Sequence, residues 1–284
     1  MSDCAPGAAP GTGGPDISGT TRLFVVIGDP VAQVRAPGLL NPLFRRLGTD
    51  AVLVPVHVRP EGLAEVLRGL RRTVNLDGLL ITVPHKAACL QFADDVSPAA
   101  ALSASTNAMR KDAGGRWLAE NFDGEGFVRG LRAAGYDPRG ARVAQAGAGG
   151  AGSAIAVALL GAGADVAVWD RDPARADGLA ARLAARWPGR IAATKGLVAA
   201  DIVVNATPMG LGPDDPLPFD PAGLARGTVV ADIIMKPRRT ALLRAAEESG
   251  LPVHYGEPML TEQLPLYREF FRLGGAPGDP MDPA

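Results

Sequence analysis

The sequence predicts an α/β protein built from two units, the second a Rossmann-like doubly wound sheet. Three observations carry this reading. Short apolar runs alternate with helix-patterned segments from Leu23 onward, a pattern that favours parallel strands with helices on their faces. A second series of the same kind begins at Arg142. Its first strand runs into a glycine-rich turn, GAGGAG from Gly147 to Gly152, which opens an apolar helix.

In the first unit, runs rich in Val, Leu and Ile predict strands over 23–28, 52–58 and 76–83, with helices near 37–47, 61–71 and 86–93. KDAGGR around Gly114 and Gly115 reads as a tight turn, and 122–135 as a helix leading into the second unit. That unit reads as VAQAG, a helix over 150–160, VAVWD, a helix over 173–186, then the strands IAAT, DIVVNAT and TVVADII. A final helix over 259–273 follows the last strand, and its place in the chain predicts that it packs back on the first unit. The expected division is 21–122 plus 257–284 for a substrate-binding and catalytic domain and 123–256 for the dinucleotide domain, after a flexible tail at 1–20 rich in Gly, Pro, Ala and Thr.

With 284 residues, 47% hydrophobic and 21% charged, the chain can bury a sizeable core. A formal net charge of -1 gives no electrostatic footprint for nucleic acid or an anionic membrane, so a small-molecule partner is expected. Cys4 and Cys89 are too few for a disulfide framework or a metal cluster and read as free thiols; no metal is expected. The N-terminal segment lacks the basic start and apolar core of a signal peptide, and the apolar region over 154–169 is broken by Gly161, Gly163 and Asp165. A cytoplasmic monomer or homodimer is expected.

Among 29 Lys and Arg residues only four are Lys, so Lys86, at the end of the strand-like run ITVPHK, invites a chemical reason. A partly desolvated Lys can lose its proton where Arg cannot, which makes Lys86 a proton-transfer candidate if a carboxylate holds it. Asp123, in ENFDGEG, is the candidate carboxylate. Gly147, Gly149, Gly150 and Gly152 allow backbone N–H groups and a helix N-terminus to approach a pyrophosphate. Asp170 ends the next strand, where an acid bonds the adenosine ribose; it favours NAD over NADP, whereas Arg171 and Arg175 would attract a 2'-phosphate.

Taken together, the runs IGDPVAQVRAP, ITVPHK, STNA, ENFDGEG, GAGGAG, NATPMG and GEPMLTEQ, in that order, make the chain resemble the shikimate dehydrogenase family from about residue 23 to 273. The resemblance implies NAD- or NADP-dependent oxidoreduction of a cyclic hydroxy acid, with Lys86 and Asp123 as the catalytic pair. It also implies that Thr82, Asn107 and Gln263 bind substrate, and that Thr207, Met209, Gly256 and Met259 lie beside the cofactor. The less favoured alternatives are a plain strand residue for Thr82, core filler for Met259 and a solvated helix residue for Gln263.

The departures from the family pattern fall on one wall of the site. Val34 and Ala36 stand where a Ser-x-Ser pair would bind the substrate carboxylate, Leu80 replaces an asparagine, Phe122 a threonine, and Met235 a tyrosine. Hydrogen bonds to a charged group contribute about 1.5 to 3 kcal/mol each, so two lost donors would cost roughly 10²- to 10⁴-fold in specificity for an acid. Arg35 or Gln33 are the possible replacements. The expected activity is therefore of shikimate or quinate dehydrogenase type, on a hydroxy acid or on a polyol ring lacking the carboxylate. A folate-type methylene dehydrogenase and a non-catalytic dinucleotide sensor are the alternatives.

Overall fold

The computed structural model describes residues 17–274. Cys4 and most of the expected tail lie outside the described residues. The first unit runs β1 (Arg22–Gly28), α1 (Ala36–Arg46), β2 (Ala51–His57), α2 (Leu63–Arg72), β3 (Leu76–Ile81), α3 (Lys86–Leu90), β4 (Asp95–Val96), α4 (Pro98–Ser103), β5 (Ala108–Lys111) and β6 (Trp117–Glu120). After α5 (Asp123–Ala133) come β7 (Arg142–Ala146), α6 (Gly150–Ala162), β8 (Asp165–Trp169), α7 (Pro173–Ala184), β9 (Ile191–Ala193), β10 (Ile202–Asn205), β11 (Val229–Asp232), α8 (Ala241–Glu248) and β12 (Val253–His254). Two short helices, α9 (Glu257–Thr261) and α10 (Leu264–Phe270), complete the described chain.

These strands form two six-stranded sheets, ordered β2-β1-β3-β5-β6-β4 and β12-β11-β10-β7-β8-β9. The second is parallel throughout, and its order reverses between β7 and β10, which opens a crevice at the carboxyl ends of those strands. The first sheet is mixed, a correction to the parallel sheet expected from its βαβα pattern. β5 pairs antiparallel with both β3 and β6. The connection through Asp112, whose carboxylate accepts the Gly114 and Arg116 N–H groups, is too short to return the chain for parallel pairing.

Alternate side chains of each strand enter different cores, which explains the near-continuous apolar runs. Phe24 and Val26 of β1 pack with Leu40, Phe44, Tyr267 and Phe271, while Val25 and Ile27 pack with Leu63, Leu67 and Cys89. Tyr267, Phe271 and Leu273 thus bring the chain's last helix onto the first sheet, as its place in the sequence predicted. The expected single helix is nevertheless two. Pro265 has no N–H for a helical bond, and the chain breaks at Gln263, which caps α10 with its side chain turned inward. A second correction concerns the lysines: β3 stops at Ile81 and Lys86 opens α3, whereas it is Lys111 that ends a strand. Among the described residues, no helix is long and apolar enough to cross a membrane.

Helix α5 lies between α6 and α9, and glycines let it approach both. A Cβ on Gly124 would lie 2.1 Å from the Ala154 carbonyl oxygen, and one on Gly126 2.3 Å from that of Met259. Alanine is the better helix former by about 1 kcal/mol, yet at Gly124 overpacking of roughly 1–3 kcal/mol outweighs it. Gly124→Ala is therefore expected to lower the urea midpoint at unchanged m-value. Gly161→Ala, in α6 with open space around it, is expected to raise it. Equal midpoints for the two variants would show that the α5–α6 approach is not tight.

Candidate active site

β3 and β6 deliver the two ends of the candidate catalytic pair, because each strand is followed directly by a helix that starts at a reactive residue. Lys86 is the first residue of α3 and Asp123 the first of α5. The Lys86 ammonium contacts Asp123 Oδ2, with the side chains 14% and 6% exposed. Asn107 Nδ2 donates to Asp123 Oδ1 at 3.0 Å and to Gln263 Oε1 at 2.9 Å, and its Oδ1 accepts the Phe122 N–H at 2.9 Å. The Asp123 N–H donates to Asn121 Oδ1 at 3.1 Å. One oxygen of Asp123 is thereby fixed and the other faces the ammonium.

Gln263 is buried, and its amide oxygen accepts from both Asn107 and the Tyr267 hydroxyl while its Nε2 donates to the Met259 carbonyl at 3.0 Å. That geometry makes it a support for Asn107 and leaves it a single free amide proton. Tyr267 has no counterpart among the residues singled out from sequence. Burial, with the charge of Asp123 behind it, holds its phenol well above the usual range, so it remains a donor. The available signal was its spacing, one helical turn beyond Gln263. Thr82 bonds through its backbone to Ile27 and His85, and its methyl covers Gly28, leaving its hydroxyl without a partner among the described residues.

The wall beside this pair is apolar. Val34 and Phe122 pack against the core that holds Ala36 and Leu80, and the Phe122 ring meets Tyr267 and Phe270 edge-on at 5.5 and 5.4 Å. Arg35 donates to Glu257 Oε1 at 2.9 Å, and Arg238 lies 3.8 Å from the other oxygen of Glu257. Gln33 donates to the Pro30 carbonyl at 2.7 Å. Both candidate replacements for the missing serines are thus engaged elsewhere.

The glycine-rich turn fits a dinucleotide. Gly147 has φ +101°, and a Cβ there would lie 2.8 Å from the Ala206 carbonyl oxygen; a Cβ on Gly152 would lie 2.2 Å from that of Gly147. Gly149 has open space where a side chain would block an approaching pyrophosphate, and α6 begins one residue later. Gln145, absent from the sequence expectations, is fully buried beneath the turn and donates to the Gly147 and Gly152 carbonyls at 2.8 and 2.9 Å. Asp170 accepts the Ala148 N–H at 2.8 Å and the Asp172 N–H at 3.0 Å, which fixes it at the strand end with lone pairs to spare. Arg171 is exposed, and Arg175 lies 3.4 Å from Asp172.

Across the crevice, Asn205 organises the loop that carries Thr207 and Met209. Its Oδ1 accepts the Thr207 N–H and hydroxyl, and its Nδ2 donates to the Met209 carbonyl. Behind it, buried Asp232 accepts from Asn205, Ile234 N–H and the Thr240 hydroxyl; burial pushes its carboxyl up to about 6, against those bonds. A Cβ on Gly256 would lie 2.5 Å from the Ile234 carbonyl oxygen. Met259 is 4% exposed and packs among Phe127, Val128 and their neighbours, so most of its side chain is core. Asn205 and Asp232 do their work through buried polar bonds that no spacing rule announces.

The two sites adjoin: a Cβ on Gly150 would lie 3.1 Å from Lys86 Cβ. A sequence profile described as the shikimate dehydrogenase substrate binding domain matches residues 26–109. A shikimate dehydrogenase (NADP(+)) from Rubrobacter xylanophilus is 40% identical over 257 residues, which cover 88% of this chain and 90% of that protein. Shikimate 5-dehydrogenase from Thermus thermophilus, solved with NADP(H) and shikimate, superposes with TM-score 0.79 at 32% identity, covering 88% and 93% of the two chains. Ligand-free 5-ketofructose reductase of Gluconobacter sp. strain CHM43 superposes with TM-score 0.78 at 30% identity, covering 88% and 92%. Motif order, two-sheet architecture and near full-length likeness agree, and the chain belongs to the shikimate dehydrogenase family.

Proposed function

We propose that this chain catalyses the reversible oxidation of a secondary alcohol on a small hydroxylated ring, in the manner of a shikimate-type dehydrogenase. The contact between Lys86 and Asp123, directly against the glycine-rich turn, is the observation that carries it. A nicotinamide dinucleotide, held by Gly147 to Gly152, Asp170 and the loop of Thr207 and Met209, supplies the two-electron redox chemistry when bound. In the reducing direction Lys86 gives its proton to the substrate oxygen; in the oxidising direction it takes that proton back. Asp123 orients the ammonium and is itself held by the Asn107 amide. Thr82 offers a free hydroxyl to substrate, and Phe122 and Val34 give the pocket an apolar wall.

Within this reading the preferred cofactor is NAD. A 2'-phosphate at the end of β8 meets the fixed carboxylate of Asp170, and Arg175 is drawn to Asp172, so Arg171 alone favours the phosphate. The relative from Rubrobacter carries NADP(+) in its name, so this reading separates the two proteins by cofactor. The preferred substrate is a ring without a carboxylate, because Arg35 is paired with Glu257 and Val34 and Ala36 offer no donors. A carboxylate entering there would give up water without gaining partners. The keto sugar in the name of the Gluconobacter reductase is of this uncharged kind.

Lys86→Ala is expected to lower kcat by about 10²- to 10⁴-fold, with Asp123→Asn less severe and cofactor affinity nearly kept. Turnover close to that of the unmutated enzyme in Lys86→Ala would remove the assignment. Asp170→Ser should shift the ratio of kcat/KM values toward NADP while Arg171 remains; an unmutated enzyme that already prefers NADP would contradict the cofactor reading. The double change Val34→Ser with Ala36→Ser should lower KM for shikimate and leave a carboxylate-free cyclic diol unimproved. Efficient shikimate turnover by the unmutated enzyme, abolished in Arg35→Ala, would show that Arg35 leaves Glu257 to bind the acid.

A further inference from the structure

Ser105, between α4 and β5, is 1% exposed and belongs to no site described so far. Its hydroxyl donates to the Gly150 carbonyl, the first residue of α6, at 3.0 Å and accepts from Asn121 Nδ2 at 2.8 Å. Ser103 Oγ, at 3.2 Å, is its more distant acceptor. Asn121 in turn accepts the Asp123 N–H at 3.1 Å. A buried chain of hydrogen bonds therefore runs from the backbone of the catalytic carboxylate, through the Asn121 amide and the Ser105 hydroxyl, to the cofactor turn. The next residue, Thr106, donates its N–H to the Lys86 carbonyl at 2.9 Å. One dipeptide thus holds the backbone of Lys86 on one side and the turn on the other.

We propose that Ser105 is a positioning residue that sets the spacing between the cofactor turn and the Lys86–Asp123 pair. The inference rests on the reading of that turn as the dinucleotide site. The turn approaches Lys86 at Gly150, where a Cβ would lie 3.1 and 3.4 Å from the Cβ and Cδ of Lys86, so there is no slack on the near side. Ser105 lies against the same face, its Cβ 3.6 Å from that position, and its hydroxyl is the side-chain bond from the first unit that keeps Gly150 from drifting away. Removing it leaves Asn121 a partner, the Ser105 carbonyl at 3.1 Å, so the pair survives while the turn is released. Because a displacement of about 1 Å at a reacting centre can cost of order 10²-fold in rate, a single neutral bond here can matter more to chemistry than to stability.

The test compares Ser105→Ala with the unmutated full chain. Without cofactor, hydrogen–deuterium exchange is expected to rise in the peptides spanning 147–154 while those spanning 142–146 stay protected. With cofactor and a substrate that turns over, kcat is expected to fall by about 10- to 100-fold. The deuterium isotope effect from C4-labelled reduced cofactor should rise toward its limiting value, with the melting temperature little changed. Ser105→Cys, which keeps the shape with a weaker donor, should fall between the two. Unchanged exchange at 147–154 would overturn the proposal, as would a loss of kcat matched by a loss of melting temperature at an unchanged isotope effect. If no alcohol turns over, the functional reading fails, and exchange in the cofactor-free protein still decides the role of Ser105.

Discussion

Everything in the cleft depends on how closely α5 can press against its two neighbours. Asp123 opens that helix, Gly124 meets the backbone of α6, and Gly126 meets the backbone of α9. A single methyl at either glycine would part the helices, since a close-packed interior has no spare volume to absorb it. The same contact therefore fixes the Asp123 carboxylate, the helix that follows the glycine-rich turn and the segment that supplies Gln263. The two sides of the cleft are held in one register by the absence of two side chains.

A polar knot sits on that apolar frame. Asn107 spends both amide protons and its oxygen on Asp123, Gln263 and the Phe122 N–H, and Tyr267 closes the far side. Leaving one such buried group unpaired costs about 1–3 kcal/mol, so the knot admits few alternative arrangements. Lys86 is the most exposed member, its side chain 14% exposed toward the cleft. Asp232 shows the opposite case. It is fully buried and its carboxyl rises to about 6, yet three donors converge on it, and it holds Asn205 in place from behind.

The apolar wall gives the site its individual character. Val34, Ala36, Leu80 and Phe122 belong to, or pack against, the same core as Tyr267 and Phe271, so the replacements that remove polar groups from the wall also extend the core toward the cleft. Arg35 answers to Glu257 at the start of α9. Its orientation was open from the loop sequence because the partner lies 222 residues further along the chain. Pairings of that range are set by topology.

What the sequence determined by itself was local or periodic. Apolar runs marked β1 to β3 of the first sheet and β7 to β11 of the second, but not β4, β5, β6 or β12; the glycine spacing marked the turn before α6, and the motif order marked Lys86, Asp123 and Asn107. The physical reason is that backbone geometry and burial periodicity are written into neighbouring residues. The tertiary structure decided the rest. It reversed β5 within the first sheet, split the final helix at Gln263, buried Met259, engaged Arg35 and brought Tyr267, Gln145 and Ser105 to work at the site. Each of those outcomes depends on groups far apart in the chain meeting in a low-dielectric interior, where an unpaired polar atom is costly and the partner is chosen by packing rather than by spacing.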